Sequence, residues 1–133
     1  MAQTFFSAAP DSGAPPSILV VEDEVLIRLT VADHLRDCGF RVLEAANGDE
    51  ARRIVEAGET VDLVFTDIQM PGSLDGFSLA RWVRANRPGV PVLLTSGYVK
   101  SAELAHDLCT EIVGKPYDHD DLVRRLRRLM AKT

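Results

Sequence analysis

The chain has 133 residues, a length that fits one domain and leaves no room for a receptor joined to a separate output module. Hydrophobic residues make up 46% and charged residues 26%, which supports one buried core and excludes wholesale disorder. With 15 basic and 20 acidic side chains the formal charge is -5, so a general nucleic-acid or membrane-surface binder, which carries a basic surplus, is not expected.

Residues 1–16, MAQTFFSAAPDSGAPP, have no hydrophobic period and read as a flexible leader, which places the domain over residues 17–133. The leader lacks the basic flank and apolar length of a secretory signal, and no apolar run approaches the roughly 20 residues of a bilayer span. Cys38 and Cys109 show no C-x-x-C spacing, so neither a disulfide scaffold nor a zinc ribbon is expected. A reducing, cytoplasmic setting without a membrane partner follows.

The first strand is predicted over Ile18 to Val21. A helix comes next, in which Ile27, Val31, Leu35 and Cys38 recur at helical spacing toward a core before Gly39 stops it. A second strand over Phe40 to Glu44 leads to a helix capped by Asn47, with Glu50 as its capping-box partner and Gly58 at its close. The third strand, Val61 to Thr66, is followed at Asp75-Gly76 by a helix with Leu79, Ala80 and Val83 inward and Pro88 beyond its end. A fourth strand over Pro91 to Thr95, a fourth helix from about Ser101 to Leu108, and a weak strand over Glu111 to Val113 complete the alternation. The last helix, Asp118 to Met130, places Leu122, Leu126 and Leu129 on one face and Arg124, Arg125, Arg127 and Arg128 on the solvated side. His34, His106 and His119 have no partner at metal-ligand spacing and are assigned to surface or helix-end positions.

Three of the strands are near-continuous apolar runs, the signature of strands buried on both faces of a parallel sheet. Five strand–helix units with right-handed crossovers imply an α/β doubly wound parallel sheet with helices on both faces. In such sheets the working residues lie beyond the carboxyl ends of the strands. There the first strand runs into Glu22-Asp23-Glu24, the third into Asp67, the fourth into Thr95-Ser96-Gly97 and the fifth into Lys115-Pro116.

Asp23 and Asp67 are far apart in the chain, but neighbouring strands stand about 5 Å apart, so their carboxylates can converge. Convergent carboxylates with no His or Cys nearby suit a hard dication that keeps several waters, Mg²⁺ rather than Zn²⁺. A free carboxylate, a cation and the opposing Lys115 ammonium are the parts that phosphoryl transfer needs.

ILVVEDE, LVFTDIQMPG, PVLLTSGY and VGKPY, in this order and spacing, resemble the receiver domain of two-component response regulators over about residues 17–130. The resemblance implies a flavodoxin-like sheet of order 2-1-3-4-5. It implies Asp67 as phosphoacceptor, Glu22, Asp23, Asp67 and the Gln69 backbone carbonyl as the Mg²⁺ site, Thr95 as the hydroxyl that contacts the phosphoryl group, and Lys115 as its salt-bridge partner. It also implies a cis peptide between Lys115 and Pro116. The implied donor is a sensor histidine kinase or histidine phosphotransfer protein. The implied output is a downstream protein bound at the face of the fourth helix, fifth strand and last helix, as in stand-alone receivers. Three departures accompany it. Glu22 stands where many receivers have Asp, Ile112 takes the place of an aromatic switch three residues before the lysine, and Tyr98 is the candidate substitute.

Three rival functions are weaker. An aspartyl-phosphate phosphohydrolase needs an acid two residues after its nucleophile, where this chain has Gln69, which neither gives nor takes a proton at neutral pH; the expectation is a signalling domain with slow autodephosphorylation at most. A flavin-nucleotide binder needs a phosphate-cradling loop after the first strand, where Glu22, Asp23 and Glu24 would repel phosphate. A phosphorylation-independent interaction module would have no need of the acids together with Lys115.

Overall fold

The computed structural model describes residues 14–97 and 111–131. Most of the leader, Tyr98 and the expected fourth helix lie outside the described residues.

One parallel sheet is built from β1 (Ser17–Val21), β2 (Arg41–Ala45), β3 (Leu63–Asp67), β4 (Val92–Ser96) and β5 (Glu111–Gly114), in the order β2-β1-β3-β4-β5. The described helices are α1 (Val25–Asp37), α2 (Gly48–Glu56), α3 (Gly76–Asn86) and α4 (His119–Ala131). The expected doubly wound sheet of order 2-1-3-4-5 is therefore present, and its order reverses between β1 and β3.

Every residue of β1 and of β3 is buried, as their continuous apolar sequences require of strands covered on both faces. Alternate side chains serve opposite layers. Ile18 and Val20 join Phe65, Leu93 and the inner residues of α1 and α4, whereas Leu19 and Val21 join Val64 and the inner residues of α2 and α3. Each buried aliphatic side chain contributes about 1.5 to 3 kcal/mol relative to exposure, so these two layers set the stability of the fold.

The helix ends follow the expected chemistry with small differences. Asn47 Oδ1 accepts the Glu50 amide at 2.8 Å, but the Glu50 carboxylate reaches back to the amide of Ala46 rather than to that of Asn47. Asp75 Oδ1 accepts the Ser78 amide at 2.8 Å and starts α3. After α1, Gly39 takes φ of 95°, a left-handed conformation that lets the chain turn into β2.

One expectation changes at α1. Its buried residues are Val31, Ala32 and Leu35, while Ile27 and Cys38 pack at the margin of the core, so Cys38 is a half-buried thiol rather than a central one. His34 sits in the last turn of α1, as expected, and belongs to no metal-ligand cluster among the described residues; its ring meets that of His119 at 5.1 Å, and Nε2 is 3.6 Å from Asp120 Oδ1. That meeting depends on α1 crossing α4, which spacing within one helix cannot reveal.

Candidate functional site

The sheet order places the ends of β1, β3, β4 and β5 side by side, and the site residues extend from them. Glu22 and Asp23 follow β1, Asp67 ends β3, Thr95 pairs with Asp67 across β4, and Lys115 follows β5. The Lys115 amide donates to Ser96 O at 3.0 Å, which carries the parallel pairing one step past the strand. The Lys115–Pro116 peptide is cis.

One carboxylate oxygen each from Glu22, Asp23 and Asp67 falls within 4.8 Å of the other two. Glu22 and Asp67 are buried, and Asp23 is exposed. Lys115 Nζ lies between the buried pair, 3.1 Å from Asp67 Oδ2 and 3.2 Å from Glu22 Oε1. The Gln69 amide donates to Asp67 Oδ1 at 3.4 Å, so the loop after β3 folds back toward the carboxylate. The Glu24 amide donates to the second oxygen of Glu22 at 3.1 Å.

Burial raises the pKa of Glu22; the Glu24 amide opposes this, and the charge of Asp67 adds to it. Burial alone would lower the pKa of Lys115, but its hydrogen bond to Asp67 and the charges of Asp67 and Glu22 hold it above the ordinary value. The lysine therefore stays protonated. Three carboxylates against one ammonium leave the pocket with net negative charge and room for a cation.

The donor set fits a hard dication: carboxylate oxygens, with neither His nor Cys in the cluster. A second observation is Thr95 Oγ1, the buried side-chain polar atom that lacks a hydrogen-bond partner among the described residues. Thr95 pairs with Asp67 in the sheet, so this hydroxyl keeps hydrogen-bonding capacity next to the carboxylate.

Gly76 explains how α3 approaches so closely. A Cβ at this position would collide with the Asp67 carbonyl oxygen and the Ile68 Cα, and the Gly76 amide donates to Ile68 O at 2.8 Å. The absence of a side chain lets the start of α3 buttress the backbone that carries Asp67.

Tyr117 is a neighbour that motif reasoning did not single out. Its ring meets Phe65 edge-on at 5.6 Å, and burial, then the charge of Glu22, pushes its phenol up to about 12. With Leu26, Ile27, Val31, Pro116 and Lys115 it lines a cavity of about 480 Å³ against α1. Val25, Leu26 and Leu29 remain exposed along the same helix. Ile112 is half-buried and packs against Ile68, Phe77, Ala80 and Leu94, a place where an aliphatic side chain has no polar end to expose. Tyr98 lies outside the described residues.

Comparison with known proteins supplies a family for this arrangement. Residues 18–127 match the response regulator receiver domain family. Over 128 residues, covering 93% of the chain, the sequence is 33% identical to sensor kinase CckA of Brucella abortus, of which the chain spans 13%. A response regulator receiver protein from Sinorhizobium medicae has a similar structure, with TM-score 0.82 and 28% identity over 90% of this chain and 98% of that one. Response regulator TrrA from Thermotoga maritima, solved in complex with Mg²⁺-BeF, gives TM-score 0.77 and 31% identity over 86% of this chain and 98% of that one. No described helix is long and apolar enough to cross a membrane.

Proposed function

Because the chain belongs to the response regulator receiver domain family of two-component systems, we propose that Asp67 accepts a phosphoryl group from a sensor histidine kinase or histidine phosphotransfer protein and that the change is relayed to a partner protein. The observation that carries this reading is Lys115 Nζ, 3.1 Å from Asp67 Oδ2, beside three convergent carboxylates and the orphaned Thr95 hydroxyl.

In the transfer an Asp67 carboxylate oxygen forms the new O–P bond while the donor's N–P bond breaks, and the imidazole nitrogen keeps the electron pair. Glu22, Asp23, Asp67 and the Gln69 carbonyl would hold Mg²⁺, which neutralises charge on the transferring group when bound. Lys115, already protonated, offers its ammonium to the same group. Thr95 Oγ1 gains a partner, so the loop after β4 is drawn toward Asp67. Gln69 supplies neither an acid nor a base for rapid turnover, so the phosphoryl group persists and the protein acts as a signalling domain rather than an enzyme. The exposed Val25, Leu26 and Leu29, beside the apolar cavity and within reach of the acidic pocket, suit a helical donor that presents its phosphohistidine to Asp67.

The output surface in this reading is the segment after β4 together with β5 and α4, with Tyr98 as a marker in place of the aromatic residue absent at Ile112. A shift between two loop arrangements needs a difference in phosphoryl contacts of a few kcal/mol. A cytoplasmic setting accords with a phosphohistidine donor.

The test is labelling by a small acyl phosphate with and without Mg²⁺. The expected product is one acid-labile, hydroxylamine-sensitive phosphoryl group that is lost on chelation and lost in Asp67→Asn. Equal labelling of Asp67→Asn at such a position would overturn the assignment.

A further inference from the structure

We propose that Arg28 is a positioning residue for the acidic pocket, holding Glu22 from behind so that its carboxylate faces the cation site; the inference rests on the Mg²⁺ reading above. Arg28 lies in the first turn of α1, and its side chain is only 17% exposed. Its Nη1 donates to the backbone oxygen of Glu22 at 2.9 Å, and its Nε donates to Glu44 Oε1 at 3.3 Å. One guanidinium therefore ties the end of β1 to β2.

The tie is itself anchored. Glu44 Oε2 accepts from Arg36 Nη2 at 3.1 Å, and the same Arg36 nitrogen donates to Val42 O at 3.2 Å. The Glu22 amide donates to Ala45 O at 3.0 Å, and the Arg28 amide donates to Glu24 O at 2.9 Å. The backbone of residues 22–24 is thus bound on both sides, and the Glu22 carboxylate is left to Lys115 and the Glu24 amide. The planar fork matters here, because a lysine ammonium cannot present two donors at fixed angles to a carbonyl and a carboxylate.

Charge and position make opposite demands on this residue. As a positive charge near a dication site, Arg28 opposes Mg²⁺, and its removal should tighten binding. As a positioning residue it assists, and its removal should weaken binding; partners that orient metal ligands typically account for 10- to 100-fold in affinity.

The experiment is calorimetric titration of the full chain with Mg²⁺ alone for the parent, Arg28→Gln and Arg28→Lys, alongside metal-free NMR of the Glu24 amide, whose hydrogen bond reports the Glu22 carboxylate. Arg28→Gln should weaken Mg²⁺ about tenfold. Arg28→Lys, with its charge kept, should also weaken it several-fold, and both should shift the Glu24 amide and speed its exchange. Unchanged or tighter Mg²⁺ binding in Arg28→Gln, or a Glu24 amide that does not respond in the folded Arg28→Lys protein, would overturn the proposal. A parent protein that binds no Mg²⁺ would sink the metal reading instead, while the metal-free amide still decides whether Arg28 positions Glu22.

Discussion

Two of the places where opposite charges gather, the carboxyl edge of the sheet and α4, are built differently. At the carboxyl edge of the sheet, buried Glu22 and Asp67 share one lysine, with Asp23 close by. On α4, Arg125 and Arg128 both reach Glu111, Arg124 and Arg125 reach Asp121, and Arg127 bonds Cys38 O and lies over the Phe40 ring. The side chains of Arg124, Arg125 and Arg128 are 31% to 68% exposed, and they share Asp121 and Glu111 as partners. Surface pairs in water contribute about 0 to 1 kcal/mol, whereas a buried group short of countercharge stays responsive to whatever supplies it. Charge is thus buried and unbalanced in the first region, and exposed and paired in the second.

The largest expected effect comes from breaking the first region. Lys115→Ala leaves Glu22 and Asp67 facing each other without an ammonium, and in metal-free urea unfolding we expect a loss of about 3 kcal/mol, the low end for a buried pair broken on one side because Lys115 is partly exposed. Millimolar Mg²⁺ should recover much of that loss. If an α4 arginine variant loses as much stability in the absence of metal as Lys115→Ala does, the contrast between the regions is false.

Gly76→Ala tests the backbone rather than the charges. The added methyl must displace the Asp67 carbonyl or the start of α3, at about 1 to 3 kcal/mol. Mg²⁺ affinity should fall with it, measurable by calorimetry on the folded variant. A variant of parental stability and affinity would show that α3 does not brace the strand that carries Asp67.

Alkaline pH separates the regions more gently. The folded pKa values of Tyr117 and Lys115 are both raised, so unfolded chains release these protons first. The contribution of Tyr117 is complete below pH 10, its ordinary value, and is lost as pH rises through about 12, and that of Lys115 is lost in the same direction, above its own ordinary value. Absorbance of phenolate near 295 nm should show a late step that disappears in Tyr117→Phe. A Tyr117 that titrates at 10 would place it in water, away from the carboxylates.

The smallest effects belong to α4. Arg124→Ala and Arg128→Ala should each change stability by less than about 0.5 kcal/mol, and less still in molar salt. A loss above about 2 kcal/mol from either would mean that the outer ladder holds the fold together.

Much of this was legible in the order of residues. Continuous apolar runs marked β1 and β3, Asn47 and Asp75 marked the starts of α2 and α3, and the acids and lysine stood where strands end. The buried carboxylate of Glu22 was harder to choose from three consecutive acids, since only the bonds to Lys115 and the Glu24 amide distinguish it. Arg28 with Glu44, Tyr117 with Phe65, and His34 with His119 were invisible for a common reason. Each joins two different elements, and helix periodicity describes one element at a time.

The strand order has a practical consequence for cutting the chain. Glu22 and Asp23 follow β1 while Asp67 ends β3, and β1 and β3 are hydrogen-bonded neighbours with β2, α1 and α2 lying between them in sequence. A break after α2 would send Glu22 and Asp23 to one fragment and Asp67 and Lys115 to the other, and each fragment would keep one strand of the central pair. Neither piece alone could assemble the pocket. Rejoined fragments would restore it by pairing β1 with β3, so, on the proposed function, Mg²⁺-dependent labelling of Asp67 would serve as a reporter of fragment complementation.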